Sequence, residues 1–167
     1  MTRATVFNQF GSKLGLLQAV TDEAGRRNQA DATFDALELS DAYDALRFAL
    51  IEGYRFYAAE RSLLRSMTSL AAVDPDARQL SAGFEQKRRS DIRKLADRLA
   101  VQGRLADGWS RRALADLLWV VTSFETFDLL HSGRGLSARA AAERALAMAS
   151  AGLRSGYNVR LARSPVR

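Results

Sequence analysis

The chain has no cysteine, one histidine and two prolines. Without cysteine there is no disulfide, no thiolate nucleophile and no cysteine-ligated zinc site. With His131 as the sole imidazole, serine–histidine pairs and histidine-based metal sites have no redundancy. No phosphate-binding loop, GxGxxG or HExxH occurs. No apolar run reaches the length that spans a bilayer, and the N-terminus is polar from Thr2 onward, without a signal-peptide core. These absences lead to the expectation of a soluble, cytoplasmic protein with no cofactor, no metal, no membrane partner and no enzymatic activity.

What is present points to helices. Of the 167 residues, 47% are apolar, enough for a real core. Alanine, leucine and arginine are abundant and helix breakers are few, which predicts an all-α chain. The net charge of +6 favours an anionic partner, although an arginine-rich composition produces the same sign without one.

In chain order, a short polar-and-apolar segment, Thr2-Arg3-Ala4-Thr5-Val6-Phe7-Asn8-Gln9-Phe10, ends at Gly11. Ser12 is an N-cap for a helix over 14–27, whose Leu16, Leu17, Val20 and Ala24 share a face. Lys13 in its first turn opposes the macrodipole unless an anion lies close by. A polar connection over 28–39 holds Phe34 and Leu37 for tucking onto the body. Ser40 is expected to cap a helix with Tyr43, Leu46, Leu50, Tyr54 and Tyr57 on one side. A shorter helix over 61–73 follows, with Leu64, Met67 and Leu70 facing inward. Asp74-Pro75 opens a long helix with the stripe Leu80, Phe84, Ile92, Leu95 and Leu99. Its Lys87, Arg88, Arg89, Arg93 and Lys94 alternate with acids and read as a solvated face. After a turn over 103–108, Ser110 caps a very apolar helix expected to run unbroken over 111–131. Ser137 caps an alanine-rich last helix over 138–153, and the residues 158–167 form a basic tail.

The penultimate helix carries more apolar surface than one face can bury. Small side chains on the last helix permit close approach of another helix. Together they predict a homodimer whose interface includes Leu117, Val121, Ala142, Ala145 and Ala149, the last two long helices forming a dimeric four-helix bundle. Tyr54, Tyr57, Met67, Phe84, Trp119, Phe124 and Phe127 are candidates for an apolar pocket holding a small-molecule effector; each is equally at home in an ordinary core. Glu125 and Asp128 lie in apolar surroundings and are expected to make salt bridges, interface contacts or polar points in a pocket.

The order Thr-x-x-Thr-Val-Phe-x-x-Phe-Gly-Ser-Lys-x-x-Leu-Leu in residues 2–17 closely resembles the DNA-recognition helix, and the start of the next helix, in TetR-family transcriptional regulators. The resemblance implies a remnant of a helix-turn-helix domain over 1–28, followed over 29–157 by a ligand-binding and dimerisation domain. It implies a double-stranded operator DNA partner, repression as the expected mode, and release of DNA when the effector binds. By position, Thr2, Arg3 and Thr5 would lie at the exposed start of the recognition helix. Phe7, Asn8 and Gln9 would face the groove or backbone, and Lys13 would hold a phosphate. Arg3 has the chemistry to read guanine, and Asn8 or Gln9 adenine. Phe7 stands where the family usually has tyrosine, so one phosphate hydroxyl is missing. The two helices that precede the recognition helix in that family have no counterpart before Met1, and an N-terminally truncated regulator is the expectation. The reading from another class is a dimeric small-molecule-binding or protein-interaction module without DNA binding.

Overall fold

The computed structural model describes residues 10–154, and they are all-helical, with no β-strand among them. The helices are α1 (Lys13–Arg27), α2 (Asp31–Leu37), α3 (Ala42–Ala59), α4 (Arg61–Val73), α5 (Pro75–Val101), α6 (Arg111–Val121), α7 (Phe124–Asp128) and α8 (Ala138–Ala149). A π-helical turn, Leu129–Gly133, extends α7, and a 3-10 turn, Ser150–Gly152, ends α8. Of the residues 2–17 that carry the family resemblance, 2–9 lie outside the described residues, as does the basic tail.

Local chemistry sets most helix starts. Ser12, Asp74, Ser110 and Ser137 each accept a hydrogen bond from the backbone N–H three residues on, satisfying one of the donors a helix start leaves unpaired. Asp74 is followed by Pro75, whose missing N–H costs nothing at the first helical position. Gly11 bends the chain into α1 at φ +67°, a conformation that favours glycine. The cap of α3 differs from expectation by one residue. Asp41, not Ser40, accepts from the N–H groups of Tyr43 and Asp44. The Ser40 carbonyl is instead taken by the Gln102 side-chain amide at 2.8 Å.

The main core lies among α3, α5, α6, α7 and α8. Leu46, Leu50, Tyr54, Leu99, Leu114, Leu118, Val121 and Phe127 are its largest fully buried side chains. Alanines line both sides of the α3–α8 packing: Ala42 and Ala45 on α3, and Ala141, Ala142, Ala145 and Ala149 on α8, all buried in the same cluster. Small residues on both helices let their backbones approach. A second, smaller cluster of Met67, Ala77 and Leu80 receives Leu14 and Leu17 of α1.

Three expectations are corrected. Val20 and Phe84, placed on buried stripes, are exposed. Leu14 joins Leu17 against the smaller cluster, and Ala24 is the buried residue of the C-terminal half of α1, while Val20 lies on neither contact. The helix expected over 111–131 breaks at Thr122–Ser123. Ser123 is extended, and its hydroxyl caps α7 at the Thr126 N–H. The carbonyls at the end of α6 are meanwhile claimed by side chains: that of Trp119 by Arg88, of Val120 by the Thr126 hydroxyl, of Val121 by Tyr54 and of Thr122 by Tyr57. With its acceptors satisfied from outside, the helix has no need of a further turn.

Candidate functional site

Lys13 is the one expected DNA contact within the described residues; Thr2, Arg3, Thr5, Phe7, Asn8 and Gln9 lie outside them. Its ammonium sits in the first turn of α1, where no acidic side chain offsets it locally. The offset comes from across the structure. Lys13 Nζ donates to Asp74 Oδ2, while Asp74 Oδ1 caps α5 by accepting from the Ala77 N–H at 3.0 Å. Lys13 remains half-exposed, and Asp74 is largely covered.

The other end of α1 is fixed by a second acid. Glu60, at the α3–α4 junction, is 5% exposed, and its Oε1 accepts from Arg27 at 2.5 Å and from the Asn28 amide. The hydrogen bond from Arg27 to Glu60 and the charge of that carboxylate raise the Arg27 guanidinium further above its ordinary value. Arg55 donates to the Asn28 carbonyl at 3.0 Å. Two ion pairs and a small apolar seat thus hold the helix that adjoins the motif. Sequence reasoning identified Asp74 only as a cap and did not single out Glu60. The partners are 61 and 33 residues apart, and no periodicity spans such separations.

The seven candidate pocket residues occupy several places. Tyr54, Tyr57, Phe124 and Phe127 form one aromatic cluster, with Tyr54 edge-on to Phe127 at 5.2 Å and Tyr57 edge-on to Phe124 at 5.7 Å. Such contacts add to plain area burial. The two hydroxyls donate to the Val121 and Thr122 carbonyls at 2.7 and 3.1 Å. Burial pushes the Tyr57 phenol up to about 12 and the Tyr54 phenol higher still, so both stay protonated donors at neutral pH. Trp119 lies apart from these four, under the guanidinium of Arg88, 3.6 Å from its ring centroid. Arg88 also donates to the Thr122 hydroxyl and to Glu85. Met67 belongs to the smaller cluster beneath α1, and Phe84 faces outward.

Two surface depressions lie elsewhere. One, of about 720 Å³, is lined by Phe34, Leu37, Glu38, Lys87, Asp91, Lys94, Leu95, Asp97 and Arg98. The other is lined by Ala106, Asp107, Ser150, Ala151, Leu153 and Arg154. None of the seven candidates lines either.

The candidate interface residues are mostly consumed within the chain. Val121, Ala142, Ala145 and Ala149 are buried in the main core, and Leu117 is partly buried against it. The stripe of small residues meets α3 of its own chain, leaving these four side chains no surface for a second copy. The apolar side chains that α6, α8 and the π-helical turn do present outward are Val120, Met148 and Leu129.

The acids of α7 part ways. Glu125 is exposed. Asp128 accepts from Arg61 at 2.8 Å, from Arg65 at 2.7 and 3.0 Å, and from the Ser132 hydroxyl at 2.7 Å. Burial alone would raise its carboxyl, but the hydrogen bonds from Arg65, Arg61 and Ser132 outweigh that and hold it far below the usual carboxylate range. With both oxygens so engaged, Asp128 is an ionised anchor for α4. His131 is stacked on Phe127 at 5.0 Å, with Nδ1 2.6 Å from the Leu136 carbonyl, which fixes that nitrogen as the protonated one.

Among the described residues no group of three or more histidines, aspartates or glutamates is placed to hold a metal ion, and no helix is long and apolar enough to cross a membrane. No protein-family model matches the chain, and no curated protein or solved structure matches it either.

Proposed function

We propose that the chain is a TetR-like DNA-binding transcriptional regulator, acting as a repressor, whose helical body binds a small-molecule effector and forms a homodimer. The observation that carries this reading is the residue order of 2–17, in which Thr5, Phe7, Gly11, Ser12 and Lys13 stand where the family's recognition helix and the next helix start have their contacts and turn. The left-handed turn at Gly11, with Ser12 capping α1, supports it, because that break is what sets a recognition helix off from the helix behind it. The net charge of +6 has the sign that DNA requires.

Titrating a short labelled duplex with the purified protein over a salt series tests the proposal. Affinity that falls steeply and log-linearly with salt is expected, because each neutralised phosphate releases counterions. Absence of binding at low salt, both for this chain and for one extended by two helices upstream of Met1, would remove the DNA-binding reading. The body would then stand as a binding or interaction module without a DNA role.

A further inference from the structure

Lys13 is the side chain that the proposed function assigns to a DNA phosphate, yet in the structure its ammonium already holds a carboxylate. The two oxygens of Asp74 divide their work: Oδ1 accepts from Ala77 N–H and starts α5, while Oδ2 accepts from Lys13. The capping oxygen is therefore independent of the lysine, and α5 keeps its start whether or not Lys13 stays. The lysine is half-exposed, so an anion from solvent can reach it. A phosphate arriving there meets a neutralised ion pair, not a free cation. The Coulomb attraction and the counterion release that a free lysine offers are both diminished.

We propose that Asp74 is an internal competitor for the anion that Lys13 takes when the chain binds DNA, an autoinhibitory contact between α1 and the start of α5. It rests on the DNA-binding reading above. DNA draws Lys13 away from Asp74, and the affinity the chain shows is what remains after that contact is broken. Because coupling is reciprocal, the contact weakens DNA binding by the same factor by which bound DNA weakens the contact. The contact joins α1 to the helix that runs through the body, so a change in how α4 and α5 seat α1 reaches the DNA-binding end through this pair.

The test is a double-mutant cycle read as affinity for a short labelled duplex of mixed sequence at low salt. Asp74→Asn keeps a good capping side chain and removes the charge. It is expected to tighten binding about three-fold, within the range of exposed ion pairs. In the Lys13→Gln background the same change should have no more effect than Asp76→Asn, which removes an equal charge from the same helix turn without touching Lys13. Asp74→Ser, another capping residue, should reproduce the gain. Equal effects of Asp74→Asn in both backgrounds, or of Asp74→Asn and Asp76→Asn in the parent chain, overturn the competition while leaving DNA binding intact. Absence of binding by every variant overturns the competition in this chain, and the DNA-binding reading falls with it when the chain extended upstream of Met1 also fails to bind.

Discussion

The helix next to the motif and the central helix of the body are held in different ways. Among the 18 residues of α3, five are buried: Ala42, Ala45, Leu46, Leu50 and Tyr54. Among the 15 of α1, only Ala24 is. What α1 lacks in burial it has in charge, with Lys13 on Asp74 at one end and Arg27 on Glu60 at the other. Apolar burial is not screened by salt, whereas ion pairs with exposed partners such as Lys13 and Arg27 are screened in part. The body is therefore expected to be the more stable part of the chain, and the attachment of α1 to weaken as salt rises. Segments that move in function belong to the low-stability end of a structure, and α1 meets that description.

The contrast can be broken most directly by truncating one side chain in each cluster. Phe127 is fully buried, between Tyr54 and Tyr57 and under His131. Phe127→Ala should cost about 3–5 kcal/mol in urea unfolding, the usual range for a buried aromatic. Met67→Ala, beneath α1, should cost about 2 kcal/mol, at the low end for its type. Equal losses would mean that the smaller cluster carries as much stability as the main core, and the distinction would fall. A second probe asks how tightly the far side of the body is filled. A Cβ on Gly152 would lie 2.9 Å from the Trp109 ring and 3.0 Å from a Leu114 methyl. Gly152→Ala should therefore destabilise by about 1–3 kcal/mol, as overpacking does, and an unchanged melting curve would show that this seam yields.

The sequence was most informative where the cause of structure is local. A cap acts over three residues, so Ser12, Asp74, Ser110 and Ser137 were legible as helix starts. Buried stripes were legible where the apolar spacing is regular, as in Leu46, Leu50 and Tyr54 of the central helix. Periodicity names a stripe but not what covers it. The alanines of α8 were assigned to a second copy because nothing local says that α3 of the same chain meets them. Phe84 and Val20 were misplaced for a related reason. Each continues an apolar pattern at a position the neighbouring helices leave uncovered, although residues further along the same helix, Ala24 and Ile92, are buried. The break after Val121 depends on Tyr54, Tyr57 and Arg88, all more than 30 residues away. The Thr122-Ser123 pair was its sole local sign. The candidate DNA site was legible only through residue order, and its partner Asp74 required the fold.

The smallest expected effect sharpens the contrast most, because it acts on the helix that both regions share. One side of α4 offers Leu63, Met67 and Leu70 to the cluster beneath α1, and Arg61 and Arg65 tie the helix to Asp128 of α7. Asp128→Asn should cost about 1 kcal/mol at neutral pH, since Arg65 is half-exposed and water screens the pair. The sign of the pH dependence follows from the direction of the shift. The folded carboxyl lies below its ordinary value of 3.8, so the folded state favours ionised Asp128. Its contribution is complete above that value and drains away as pH falls through it toward the folded one. The parent and Asp128→Asn should thus begin to converge in stability as pH falls below about 4, draw together only toward the folded value, and differ most near neutrality. Hydrogen exchange locates the loss. With α4 freed from α7, amides of α1 and α4 should exchange faster, while those around Leu46 and Leu50 keep their protection. Acceleration in α3 equal to that in α1 would mean that the chain opens as one unit and that α1 has no separate attachment to lose.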